Sequence, residues 1–142
     1  MGASTSRYRL YKGSPPIRAF SKDTSTTEIL AGNLVINSSG KITNMSTTTD
    51  NGSFMGVAMS DSPSGTTTKV NVALVDGISE FEYPLDATTD VTYGLAMKWG
   101  ASHTLSSQAN GTDVIAFCVE TASAVTSARV KFIWDTTMVN RG

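Results

Sequence analysis

Gly56-Val57-Ala58-Met59 and, eleven residues on, Val70-Asn71-Val72-Ala73-Leu74 decide the reading of this chain, because both recur. Sixty residues later stand Ala116-Phe117-Cys118-Val119 and Val130-Lys131-Phe132-Ile133-Trp134. Upstream, Gly32-Asn33-Leu34-Val35-Ile36 with Gly40 is echoed by Gly94-Leu95-Ala96-Met97-Lys98 with Gly100. The glycine spacings there are 62 and 60, so the match needs a small insertion. Each copy reads as strand, glycine turn, polar loop, strand, turn, strand. A period of this size marks a duplicated β-unit that cannot close a hydrophobic core alone.

Working outward, the remaining signals are also those of strands. Lys69 to Val75 alternates, and Asp76-Gly77 supplies a tight turn. Ile78, Glu80 and Glu82 then alternate against Ser79, Phe81 and Tyr83. Asn37-Ser38-Ser39-Gly40 and Asp61-Ser62-Pro63-Ser64-Gly65 are turn clusters. No window holds apolar residues at helical spacing, so almost no helix is expected. Short strands separated by turn clusters predict an all-β fold, a small β-barrel or β-sandwich built from two related β-units. The spacing assigns residues 1–28 to an extended N-terminal arm and 29–142 to a single β-domain, with repeats at 29–86 and 87–142.

Composition removes several classes of function. The net charge is −1, charged residues make up 16%, and no Lys/Arg run occurs. A nucleic-acid binder needs a basic stripe, so none is expected here. No apolar run approaches the ~20 residues of a spanning helix, and residues 1–6 lack the apolar centre of a secretory signal. Ser and Thr supply roughly a quarter of the chain, which suits exposed strand faces. One cysteine, Cys118, rules out an intramolecular disulfide and a cysteine-based metal knuckle.

Catalytic candidates are weak. His103 is the sole histidine and lies in a polar loop, without a second ligand to make a metal site. Cys118 sits between Phe117 and Val119, with nothing basic beside it to lower its pKa. Glu80 and Glu82 share a strand face, as paired acids of a glycosidase would, but charges on an edge strand that discourage pairing account for them better. Asp50-Asn51-Gly52 is too sparse for a calcium loop. No enzyme, metal, cofactor or small-molecule substrate is expected.

The segment before residue 29 differs from the rest: Arg7, Arg9, Lys12, Arg18 and Lys22 face only Asp23 and Glu28. Pro15-Pro16 favours an extended path. Arg7, Tyr8, Arg9, Tyr11, Arg18 and Phe20 are the candidate partner-binding residues, aromatic anchors flanked by cations that would pair with acids of a partner.

The unit Ala31-Gly32-Asn33-Leu34-Val35, Gly40, Gly56-Val57-Ala58 and Val70-Asn71-Val72-Ala73-Leu74 with Gly77 resembles tailed-phage head decoration proteins, also called capsid cement or stabilising proteins. The resemblance covers residues 30–94 well and the second copy loosely. It implies a β-rich virion protein, made in the host cytoplasm, that binds the capsid exterior as a homotrimer. There it would staple neighbouring subunits of the major capsid protein and stabilise the head. The alternatives are a carbohydrate- or host-binding module of a virion fibre, with Trp99 and Trp134 as stacking platforms, and a tail-tube or connector-like assembly subunit.

Overall fold

The computed structural model describes residues 8–85, 89–100, 103–107, 113–125 and 130–134. The described residues form strands, turns and loops apart from a 3-10 turn at Thr48–Ser53. One sheet holds β2 (Ile17–Phe20), β3 (Leu34–Ser38), β4 (Lys41–Asn44), β5 (Phe54–Ala58) and β6 (Val70–Leu74), in the order β2-β6-β5-β3-β4. The other holds β1 (Arg9–Lys12), β7 (Glu80–Tyr83), β9 (Ala96–Gly100), β10 (Thr104–Ser107), β11 (Ala116–Cys118) and β13 (Val130–Trp134). Its order is β1-β7-β13-β11-β9-β10. β8 (Thr89–Val91) and β12 (Ala122–Val125) pair as a separate ribbon.

Alternation along the strands explains how the sheets stack. Leu34, Phe54 and Val57 point from the five-stranded sheet into a core shared with Phe81, Tyr83, Met97, Leu105, Cys118, Phe132 and Trp134 from the other. Trp134 stacks on Phe81 with ring centroids 4.0 Å apart and meets Phe54 edge-on at 4.8 Å. The architecture is therefore a sandwich and not a closed barrel. The odd-numbered residues of β3 point the other way. Val35 joins Ile29, Ile42, Ala58, Val70 and Val72 in a second core on the far face of the five-stranded sheet, with Phe20 packed against it.

The two sheets share one plan. Gly56, Val57 and Ala58 pair with Leu74, Ala73 and Val72; sixty residues on, Ala116, Phe117 and Cys118 pair with Trp134, Ile133 and Phe132. The glycine turns match as well. Gly32 N–H donates to the Ala58 carbonyl at 2.7 Å and Gly94 N–H to the Cys118 carbonyl at 2.8 Å, and both glycines have positive φ.

Two details depart from the sequence reading. Gly40 lies in the β3–β4 turn, whereas Gly100 lies inside β9 opposite Thr104, so those two are not equivalent. β2 corresponds to β7: Phe20 pairs with Val70 as Tyr83 pairs with Val130, and Ala19 with Asn71 as Glu82 with Lys131. The shared plan thus starts at Ile17, inside the segment read as an arm, and among the described strands of the two sheets β1 stands outside it.

Gly56 shows what the plan demands locally. A bulge shifts the register between β3 and β5, so that Val35 faces Gly56 but Ile36 faces Phe54. Gly56 consequently takes a φ of +152°, and a Cβ there would run into the Ala73 carbonyl oxygen. Its counterpart, Ala116, carries a Cβ in the core. Gly56→Ala is expected to cost about 3–5 kcal/mol through overpacking and backbone strain, while Ala116→Gly costs about 1 kcal/mol. Equilibrium urea unfolding of both variants measures the asymmetry.

Candidate partner-binding surface

The N-terminal segment lies along one seam of the sandwich. β1 runs antiparallel to β7, with Arg9 opposite Glu82 and Leu10 opposite Phe81. The chain turns at Gly13, passes Pro15-Pro16, and β2 runs antiparallel to β6. Gly13 has a φ of +99° and lies so close to Ser79 that a side chain there would collide with it. Ser79 belongs to a turn organised by Asp76, whose carboxylate accepts from Ile78 N–H at 3.0 Å, Ser79 N–H at 2.9 Å and the Ser79 hydroxyl at 2.7 Å. This turn is the platform on which the crossing from one sheet to the other sits.

The six candidate residues divide into distinct groups. Arg9, Tyr11 and Arg18 are exposed. Arg9 lies 3.6 Å from Glu82, and the Lys131 ammonium sits 4.3 Å from the centre of the Tyr11 ring. Tyr8 is buried and stacks on Phe81 at 5.6 Å; burial first, and then the charge of Asp76, push its phenol up to about 12. Phe20 packs against the second core. Tyr8 therefore serves the body of this chain, and Phe20 is half-buried against it. Arg7 lies outside the described residues.

Exposed apolar side chains extend the surface. Leu10 and Ile17, apolar anchors of the N-terminal segment by sequence, are open to solvent, and so is Ile78, at 81%, which the sequence does not mark. A lone apolar residue beside a turn has no periodicity to mark it. Glu80 and Glu82 turn out not to lie on an edge strand. β7 is interior, between β1 and β13, and its acids face Lys12, Arg9 and Lys131 across the ladder.

The other residues weighed from the sequence have structural duties. His103, at a φ of 59°, accepts the buried Leu34 N–H through Nδ1 at 3.0 Å and so ties a turn of one sheet to a strand of the other. Cys118 is buried, which raises its thiol pKa, and the thiol donates to the Glu120 carbonyl. Asp50 accepts from the backbone of Ser46 and Thr47. Lys22, in the sequence one of five cations of the N-terminal segment, is an internal tie in the structure. Its buried ammonium donates to the carbonyls of Thr27 at 2.7 Å and Pro63 at 2.9 Å, and more distantly to those of Ser25 and Ser62. A polar cavity of about 280 Å³ opens beside it, lined by Asp23, Lys41 and threonines.

The sandwich resembles a piece of a virus. Over 84% of this chain and 95% of the other, it superposes with a TM-score of 0.54 on the crystal structure of the head fibre gp8.5 N base of bacteriophage phi29. At 18% identity the likeness is one of fold. No family model matches the sequence, and no curated protein does.

The Asp76 turn lends itself to a pH test. Burial opposes ionisation of Asp76, but the hydrogen bonds from Ser79 and Ile78 outweigh it and hold the carboxyl below its usual range. A carboxylate depressed in the folded state stabilises above its unfolded pKa, and that contribution disappears as pH falls through the folded value. Asp76→Ala is therefore expected to lower stability by about 1 kcal/mol at neutral pH. The urea midpoints of parent and variant should converge as pH falls below the usual carboxylate range.

Proposed function

We propose that this protein is a structural component of a phage virion, seated on the outer surface of the head, where it contacts the major capsid protein. The observation that carries this reading is a fold shared with nearly the whole N base of a phage head fibre. Two roles fit that placement. In one, the protein staples neighbouring capsid subunits as a trimeric cement protein, as the resemblance of its glycine-turn units to head decoration proteins suggests. In the other, it is the base from which a fibre projects, and the same structural neighbour favours this role equally. Neither role calls for catalysis or a cofactor.

The lectin-like alternative fits less well, because Trp134 is buried in the core and Trp99 is half-buried against it. The exposed aromatics among the described residues are Tyr11 and Tyr93. In the proposed role, Tyr11, Arg9 and Arg18 face the shell, with the exposed apolar residues Leu10 and Ile17 between them.

Co-sedimentation with purified heads tests the reading. The full chain is expected to pellet with expanded shells, and failure to bind expanded and immature shells alike would sink it. Tyr11→Ala, which removes an exposed side chain and leaves the core intact, should weaken shell binding at least tenfold, about 1.4 kcal/mol.

A further inference from the structure

A sandwich of two open sheets has four edges, and here they are treated differently. β4 is covered by the chain at 21–23, where Ile42 N–H donates to the Ser21 carbonyl at 3.0 Å and Asp23 N–H to that of Ile42 at 2.8 Å. β10 is covered in the equivalent way, with Leu105 N–H donating to the Pro84 carbonyl at 3.0 Å. The remaining edges are β1 and β2. β1 carries a bulge between Leu10 and Lys12 and two cations, devices that discourage further pairing. β2 has neither bulge nor cover among the described residues: its four residues pair in unbroken register with β6 and are mostly exposed.

The internal duplication shows what belongs on that edge. β2 is the counterpart of β7, and the outer edge of β7 is filled by β1. The corresponding place beside β2 is vacant among the described residues. The ladder alternates, and Leu74 N–H donates to the Pro16 carbonyl; the backbone groups of Ile17 and Ala19 therefore point away from β6, toward an incoming strand.

Charge identifies the occupant. Acidic β7, with Glu80 and Glu82, receives the basic strand that carries Arg9 and Lys12. The β2–β6 pair itself, Ile17–Phe20 and Val70–Leu74, carries Arg18 and no carboxylate. A second copy of β2 laid antiparallel would bring Arg18 toward Arg18, a like-charge cross-strand contact. We infer that the β2 edge accepts one extended strand from a different protein, with a carboxylate opposite Arg18 and small or apolar residues beside it, completing the sheet as β1 completes its neighbour. In β-augmentation of this kind, main-chain bonds give affinity and the flanking side chains give specificity. Taking that protein to be a shell subunit rests on the virion reading above.

The test uses the full-length chain and a capped seven-residue peptide of alternating threonine and valine with a central glutamate, alongside a twin with lysine at the centre. The glutamate peptide is expected to slow amide hydrogen exchange at Ile17 and Ala19 at least tenfold, and to bind at least tenfold more tightly than the lysine twin. Ala19→Pro removes an outward N–H that β6 does not use, so the fold should persist by thermal melting while binding is lost. Arg18→Glu should invert the preference between the two peptides. Protection at β1 instead of β2, no protection at about 1 mM peptide, or undiminished binding by Ala19→Pro would each overturn the inference. Shells that take up the Ala19→Pro chain as fully as the parent would overturn it too, leaving the virion reading in place. A parent chain that binds the peptide at β2 but no shell would support the edge and overturn the virion reading.

Discussion

Trp134 joins the two halves of this molecule. Its ring stacks on Phe81 within one sheet and meets Phe54 of the other edge-on. Neither sheet could bury its inner face alone, because each has only five or six short strands and one of its two faces must be covered. Aromatic side chains do this with few residues, since each removes on the order of 150–250 Å² from water. Tyr8 extends the same cluster across Phe81 to the seam, so the appended β1 strand is held by the core as well as by its ladder.

The duplicated plan makes the chain economical to specify but leaves an asymmetry. Both units cover their far edge with a passing segment, and both place a positive-φ glycine against the carbonyl that ends β5 or its counterpart β11. They differ at the near edge, where one has β1 and the other is open among the described residues. They differ again on the outer face. The five-stranded sheet is overlaid by a second core built on Ile29, and the buried ammonium of Lys22 clamps the overlying loops through their carbonyls. A buried cation is costly unless its protons are satisfied, and carbonyl dipoles from two separate loops satisfy them here. The proposed capsid-facing seam joins β1, where the two units differ, to β2, the first strand of the shared plan.

Much of the candidate surface was legible only in part. Arg9, Tyr11 and Arg18 stand out in the sequence as cations and an aromatic in a proline-containing segment, and all three are exposed. Tyr8 and Phe20 look the same by composition yet point inward, because strand alternation is a statement about faces and the face that becomes core depends on the partner strand. Glu80 and Glu82 were placed on the correct face but on the wrong kind of strand: nothing local to β7 reports that β1 will cover it.

The amino-acid sequence by itself determined the β class, the turns and the sixty-residue correspondence of β5 and β6 with β11 and β13. Those follow from local sterics and from the two-residue period of a half-buried strand, which any short window contains. The tertiary structure alone decided that the shared unit begins at Ile17, that His103 and Lys22 are internal ties, and which sheet edges are closed. Ile17-Arg18-Ala19-Phe20 and Glu80-Phe81-Glu82-Tyr83 share little beyond a final aromatic. Their equivalence exists in the hydrogen-bonded register with strands some fifty residues away, and backbone pairing carries no side-chain signature that a sequence can display.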